Sequence, residues 1–93
     1  MNCKLFIFNC YLDYMSVPEW SKAAKNFRLG RYRHYSGKEY EAMGVARHSE
    51  TLEEMVVYRA LYGDGLIWVR PLGMFLEEVE ADGQRVPRFR FIG

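Results

Sequence analysis

Hydrophobic and polar residues recur with two different periods along this chain, and the change of period divides it into predicted elements. Residues 4–12 (KLFIFNCYL) are rich in aromatic and branched side chains, which predicts a first strand. A helix is predicted over residues 17–27, because Ser16 is a suitable N-cap, Pro18 suits the first turn and Gly30 can end it. Its apolar face would consist of Trp20, Ala23, Ala24 and Phe27.

After Gly30 the period shortens to two, as expected for strands. Tight turns are predicted at residues 36–37 (SG), 63–65 (GDG) and 82–83 (DG), with a loop at 48–54 and a short helical turn at 71–76. Strands are predicted over residues 31–35, 40–47, 55–62, 66–70, 79–81 and 86–92.

Five or six short strands and one N-terminal helix predict a mainly β fold, a small SH3-like barrel. The chain of 93 residues is short enough to form one compact domain. Within it, residues 1–29 are expected to form an N-terminal strand and helix extension, and residues 30–93 the barrel core.

Alternation separates two kinds of side chain in the predicted strand 66–70 (LIWVR). Ile67 and Val69 point to one side and are the expected core residues, which leaves Trp68 beside Arg70 on the opposite side. An aromatic ring next to a guanidinium is the combination that a phosphorylated ring compound requires, because aromatic rings stack on bases and guanidinium groups bind phosphate oxygens.

Charge is unevenly distributed along the chain, although the formal net charge is only +1. Basic residues collect between Lys22 and Lys38 with no acidic residue before Glu39, whereas acidic residues collect between Glu77 and Asp82. Such a dipolar arrangement can steer an anionic partner to one side of the molecule, and two solvated faces are the alternative. The near-neutral total gives no argument for nucleic-acid binding by the molecule as a whole.

Cysteine usage and hydropathy indicate the compartment. Cys3 and Cys10 are too few for a disulfide scaffold or a zinc site, and in one strand they would lie roughly 23 Å apart, too far for a bridge. We therefore expect reduced cysteines in a cytoplasmic protein. The apolar run 5–12 is too short to span a membrane and lacks a following cleavage site, so no membrane partner is expected.

Four motifs in the second part of the chain resemble one bacterial and phage family, domain of unknown function 1653. They are YRHY, ARHSET, VVYRALYG and WVRPLGMF, and the resemblance covers about residues 32–92, two-thirds of the chain. The resemblance implies little about activity, because the family name records that none is established. Residues 1–29 lie outside the pattern.

The candidate ligand-binding set combines arginine, histidine and tryptophan side chains in or beside the predicted strands. Together they would line a pocket for a small anionic or nucleotide-like ligand. The alternative is that aromatic residues in so small a domain belong to the core or its rim, with arginine side chains lying across them. The set consists of Arg33, His34, Arg47, His48, Trp68 and Arg70.

Catalysis and metal binding are less well supported. The run 47–51 (RHSET) contains a base, a nucleophile and a carboxylate, but consecutive side chains diverge, so a turn in which Ser49 and Thr51 cap backbone groups is favoured. A metal site would need His34, His48 and a nearby glutamate, where neighbouring arginines would repel the cation. We expect no catalytic residue, no metal and no cofactor.

These patterns leave four functional hypotheses, of which the last is an enzyme, ranked below the others because the sequence offers no arranged nucleophile–base pair. The first is a non-enzymatic module for a small phosphorylated or nucleotide-like ligand, used in a phage protein to sequester a nucleotide signal of host defence. The second is single-stranded nucleic-acid binding through the basic stretch 22–38. The third is a protein–protein adaptor in which the strand 5–12 joins a partner's sheet. A homodimer would stabilise a domain of this size and is a further expectation.

Overall fold

A computed structural model describes residues 17–93 of the chain. The described part contains two short helices and seven strands. In chain order they are α1 (Lys22–Lys25), β1 (Gly30–His34), β2 (Glu39–Arg47), β3 (Glu54–Ala60), β4 (Ile67–Pro71), α2 (Leu72–Phe75), β5 (Glu78–Ala81), β6 (Gln84–Pro87) and β7 (Phe89–Phe91). The predicted strand 4–12, both cysteines and Ser16 lie outside the described residues.

Five of the strands form one antiparallel sheet in the order β4-β3-β2-β1-β7, and β5 pairs with β6 in a separate hairpin. Strands β4 and β7 are the two edges of the five-stranded sheet, and within residues 17–93 no ladder joins them into a closed barrel. The prediction of a mainly β fold is confirmed, with two antiparallel sheets.

A β-bulge interrupts the pairing of β2 with β3. Ala42 lies opposite Tyr58 and Gly44 lies opposite Val57, so Met43 has no partner of its own on β3. Before the bulge, Ala42 shares a face with Tyr58, and after it Val45 shares that face with Val56.

One face of the five-stranded sheet, called the inner face, carries the core and is covered by α1, α2 and the segments beside them. Phe75 of α2 is the centre of this layer, because its ring stacks on Phe89 at 4.0 Å and meets Tyr32 and Tyr58 edge-on. Phe27 adds a further ring above Tyr32. The buried cluster consists of Tyr32, Ala42, Val56, Tyr58, Leu72, Phe75 and Phe89.

The first helix is much shorter than predicted. Helix α1 begins after Ser21, whose hydroxyl accepts the amide N–H of Ala24 at 3.1 Å, and residues 17–20 are not helical. Glu54 explains where it begins, since its carboxylate accepts both the backbone N–H and the hydroxyl of Ser21 at 2.7 Å. Trp20 and Ala23 are exposed, so only Ala24 and Phe27 of the predicted apolar face pack against the core.

Two further predictions from alternation need correction. Residues 86–92 form two strands in different sheets, because β6 ends at Pro87 and β7 begins at Phe89. Ile67 and Val69 are not core residues: their side chains are 52% and 60% exposed on the face of the sheet opposite the core, called the outer face. The register of β4 on β3 is the cause, because it aligns Trp68 with buried Tyr58.

The predicted turns are confirmed. Gly63 and Gly65 adopt positive φ values of 57° and 66° between β3 and β4, and Gly37 lies in the turn between β1 and β2 with a φ of 103°. The short helical turn after Pro71 is also present. None of the helices within residues 17–93 is long and apolar enough to cross a membrane.

Candidate functional site

An aromatic cleft of about 230 Å³ opens at the β4 edge of the inner face. We call it the Trp68 cleft. Cross-strand register builds it, because Trp68 lies opposite Tyr58 and Arg70 lies opposite Val56. Tyr40 enters from β2, opposite Ala60. The cleft is lined by Tyr40, Tyr58, Tyr62, Trp68 and Arg70.

Hydrogen bonds fix the hydroxyl and guanidinium groups of the cleft. The hydroxyls of Tyr40 and Tyr62 lie 2.7 Å apart, and Arg70 donates its Nε–H to the hydroxyl of Tyr58 at 3.3 Å. One hydroxyl of the Tyr40–Tyr62 pair and the hydroxyl of Tyr58 keep a hydrogen to donate, and Arg70 keeps its terminal N–H groups. The cleft therefore presents donors to an incoming acceptor.

The charge of the cleft is positive. None of its five lining side chains is acidic, and within residues 17–93 no carboxylate lies within 4.0 Å of the Arg70 guanidinium. The Nζ atom of Lys38 lies 4.8 Å from the ring centroid of Tyr62, which places a second cation beside the lining tyrosines. Such an environment attracts an anion and excludes a cation.

The pKa shifts of neighbouring groups reflect the same environment. Burial, with the hydrogen bond between the Tyr40 and Tyr62 hydroxyls, raises the pKa of Tyr40 to about 12, so this phenol stays neutral at physiological pH. Burial, followed by the positive charges of Arg70 and Arg88, lowers the pKa of His34 below its usual value. Its imidazole packs against Phe89 at 4.9 Å.

Aromatic packing holds the floor of the Trp68 cleft in place. The ring of Tyr58 meets Tyr40 edge-on at 5.3 Å and Phe89 at 5.6 Å, and Phe89 stacks on buried Phe75. In contrast Trp68 is 48% exposed, so one part of its indole remains accessible. A rigid floor and an accessible indole suit the stacking of a planar ligand.

Two predicted site residues line a different cleft, of about 340 Å³, between β1, β7 and the β5–β6 hairpin. Arg33 there is paired with Glu39 at 3.0 Å, and Asp82 adds a carboxylate to the wall. Its positive charge is therefore partly neutralised, although the cleft is the larger of the two. His34 also lines it and accepts the backbone N–H of Ser36 through Nδ1.

Arg47 lies at the other end of β2 and is occupied by contacts within the chain. Its guanidinium donates to the carbonyl oxygens of Leu52 at 2.9 Å and Pro18 at 2.6 Å, and lies 4.4 Å from the centroid of the Trp20 ring. This fastens the segment before α1 to the sheet. Because these contacts engage its guanidinium, Arg47 stabilises the fold.

His48 begins the turn between β2 and β3. Its Nδ1 accepts the backbone N–H groups of Glu50 and Thr51, and the hydroxyl of Thr51 accepts that of Glu53. The predicted turn in the run 47–51 is present and Thr51 caps a backbone group as expected, but within residues 17–93 the other cap is His48 and no hydrogen bond of the Ser49 side chain occurs. His34 and His48 lie at opposite ends of the β1–β2 hairpin, and residues 17–93 contain no group of three potential metal ligands.

The six predicted residues thus separate into three places, and only Trp68 and Arg70 share the aromatic cleft. The candidate set omitted Tyr40, Tyr58 and Tyr62. Alternation does place Tyr58 on the side of Val56, and strand pairing then brings it beside Trp68. Tyr40 and Tyr62 are 22 residues apart, so only the three-dimensional register brings their hydroxyls together.

Comparison with known proteins agrees with the motifs in the sequence. The model of the family described as "Protein of unknown function (DUF1653)" matches residues 30–91. A crystal structure of a protein belonging to this family, from Bordetella bronchiseptica, is similar with a TM-score of 0.72 and 44% sequence identity. The similarity covers 76% of this chain and 94% of the other. No curated protein matches significantly.

Proposed function

The chain belongs to the DUF1653 family, whose description states no function, and from the geometry of its aromatic cleft we propose that it is a non-enzymatic binding module for a small phosphorylated, nucleotide-like ligand. The observation that carries the proposal is the pairing of accessible Trp68 with Arg70 in a cleft without acidic lining. The base would stack on the indole, and Arg70 would bind a phosphate oxygen.

The size of the site favours a small ligand. A cleft of about 230 Å³ lies just below the usual range for sites of drug-sized molecules, so it suits one ring and an adjoining anionic group. A phage protein of this kind would sequester a nucleotide signal of host defence. We also propose that the strands form an SH3-like barrel and that the protein is located in the cytoplasm.

Single-stranded nucleic acid is supported less well. Basic side chains of the stretch 22–38 are engaged separately: Lys25 with Glu19 and Arg33 with Glu39. The guanidinium of Arg28 lies 3.8 Å from the ring centroid of Phe91. An extended strand would need a continuous basic groove, whereas these contacts distribute the charges around the molecule.

Fluorescence titration tests the proposal directly, because the chain contains only two tryptophans. In a Trp20→Phe background, Trp68 is the sole indole, and a base stacked on it should quench its emission. The titrants are a panel of mononucleotides, cyclic nucleotides and ADP-ribose-type compounds, with inorganic phosphate as a probe for anion binding alone. Each is also tested by thermal shift on the wild-type protein.

We expect at least one nucleotide to quench Trp68 and raise the melting temperature, and Trp68→Ala and Arg70→Gln to lose the thermal shift. Matched controls are Ile67→Ala, from the same strand, and Arg31→Gln, an exposed arginine on the outer face. Both should keep wild-type affinity. Absence of quenching and of any thermal shift across the panel would contradict the proposal, whereas affinity for oligonucleotides that falls steeply with salt would favour the second hypothesis.

A further inference from the structure

The outer face of the five-stranded sheet carries an apolar surface that no described residue covers. In antiparallel sheets with one face on the core, the other face is normally polar. Here three adjacent strands contribute uncharged side chains instead. We call this the outer patch, and it consists of Ala46 of β2, Met55 and Val57 of β3, and Ile67, Val69 and Pro71 of β4.

Two observations within residues 17–93 show that the patch is open along β4 and at Gly44, whereas Met55, Val57 and Pro71 are half-buried. The side chains of Ile67 and Val69 are 52% and 60% exposed. Gly44 lies beside Val57 in the same row, and a methyl group built on it would meet no heavy atom within 4 Å. A strand glycine with open space above it permits close approach of another backbone.

Charges at the border of the patch indicate what covers it. Across the strands, Ile67 neighbours Arg59, Arg59 neighbours Glu41, and Glu41 neighbours Arg31. The border therefore carries both signs of charge side by side. A twofold axis through the patch can bring Arg59 of one copy to Glu41 of the other, as an isologous interface requires.

From this geometry we infer that the outer patch is the contact surface of a homodimer, in which two sheets pack face to face through β3 and β4. The net charge of +1 produces no appreciable repulsion between copies. Burial of exposed aliphatic side chains supplies the driving force, and Gly44 allows the sheets to approach closely. The inference is independent of the ligand proposed for the inner face.

Gly44→Glu is the decisive variant, because its side chain enters open space and its backbone needs no positive φ. The fold of one copy should tolerate it, whereas a second sheet could not pack over a carboxylate. Gly73→Glu is the matched control: this glycine of α2 also has open space around it but lies in the layer on the inner face. Val69→Glu is a second variant in the centre of the patch.

Sedimentation equilibrium of the full chain over a concentration series measures the outcome, with circular dichroism as the check on folding. We expect the wild type and Gly73→Glu to approach twice the monomer mass of 11.0 kDa, and Gly44→Glu and Val69→Glu to weaken dimerisation at least tenfold. A wild type that stays monomeric would overturn the inference. So would a folded Gly44→Glu protein that dimerises as well as the wild type.

Discussion

Two tryptophan–arginine pairs occur on this small domain, and they differ in what the arginine contacts. Arg47 donates to the carbonyls of Leu52 and Pro18 and covers the ring of Trp20, so both of its terminal nitrogens make hydrogen bonds within the chain. Arg70 donates to one tyrosine hydroxyl and otherwise faces the cleft beside Trp68. The same residue types therefore stabilise the fold at one end of the sheet and remain available to a ligand at the other.

The largest expected difference between the pairs is in folding stability. Arg47→Ala should lower the free energy of unfolding by about 2–3 kcal/mol, because it removes two charge-assisted hydrogen bonds and leaves two carbonyls without a partner. Arg70→Ala should cost about 1 kcal/mol or less, since it removes one long hydrogen bond. Urea unfolding measures both, and equal losses would contradict the distinction.

For ligand affinity the order should be the reverse of that for folding stability: substitution in the Trp68–Arg70 pair should have the larger effect, and substitution in the Trp20–Arg47 pair the smaller. With a nucleotide identified by the titration above, Trp68→Ala should weaken binding by about 1–3 kcal/mol, the usual contribution of one stacked base. Trp20→Phe should leave the affinity unchanged, because Trp20 lies at the Arg47 end of the sheet. Calorimetric titration of each variant provides the measurement, and an equal loss in Trp20→Phe would show that the cleft is not the binding site.

As the pH becomes alkaline, the folding stability contributed by Tyr40 in the cleft should be lost before the contacts of Arg47 are affected. The pKa of Tyr40 is raised to about 12, above the value of about 10 expected in the unfolded chain, so the folded state favours the neutral phenol. The stability from this preference is intact below pH 10 and is lost as the pH rises towards 12. Tyr62→Phe should lower the pKa of Tyr40, which spectrophotometric titration of the phenolate can follow; an unchanged Tyr40 pKa would be the opposing result.

The smallest effect concerns His34. Its pKa is lowered by burial and by Arg70 and Arg88, so stability is complete above the unfolded value of about 6.5 and decreases as the pH falls below it. Arg70→Gln should raise the pKa of His34 towards that value, whereas Arg47→Gln should leave it unchanged. Proton NMR of the imidazole resolves the two, and an identical response to both substitutions would contradict the assignment of charges.

The sequence predicts most strands and turns, because alternation and glycine-containing turns are local signals. It does not predict which side of β4 lies on the inner face of the sheet, since aliphatic Ile67 and Val69 compete there with the large ring of Trp68. The register of β4 on β3 decides which side of β4 lies on the inner face, and this register depends on pairing between residues that are distant in the sequence. The pairing of Trp68 with Arg70 is predictable because alternate residues of a strand share a face.

Other parts of the candidate site depend on contacts that no local pattern reveals. Arg47 looks like Arg70 in the sequence, and its contact with Pro18, 29 residues earlier, gives it a different role. The same contact, with that of Ser21 to Glu54, explains why helical spacing over residues 17–27 produces only one turn of helix. Long-range hydrogen bonds override local helix preference here.

The unpaired Met43 also determines the direction in which the second half of β2 faces. Even-numbered Tyr40 and Ala42 point towards the core, but beyond Met43 it is odd-numbered Val45 and Arg47 that do so. A regular ladder in which Met43 paired with Val57 would keep even-numbered positions pointing towards the core and turn Arg47 to the outer face, away from Trp20. The omission of Met43 from the pairing thus sets on which side of the sheet the segment preceding β1 is fastened.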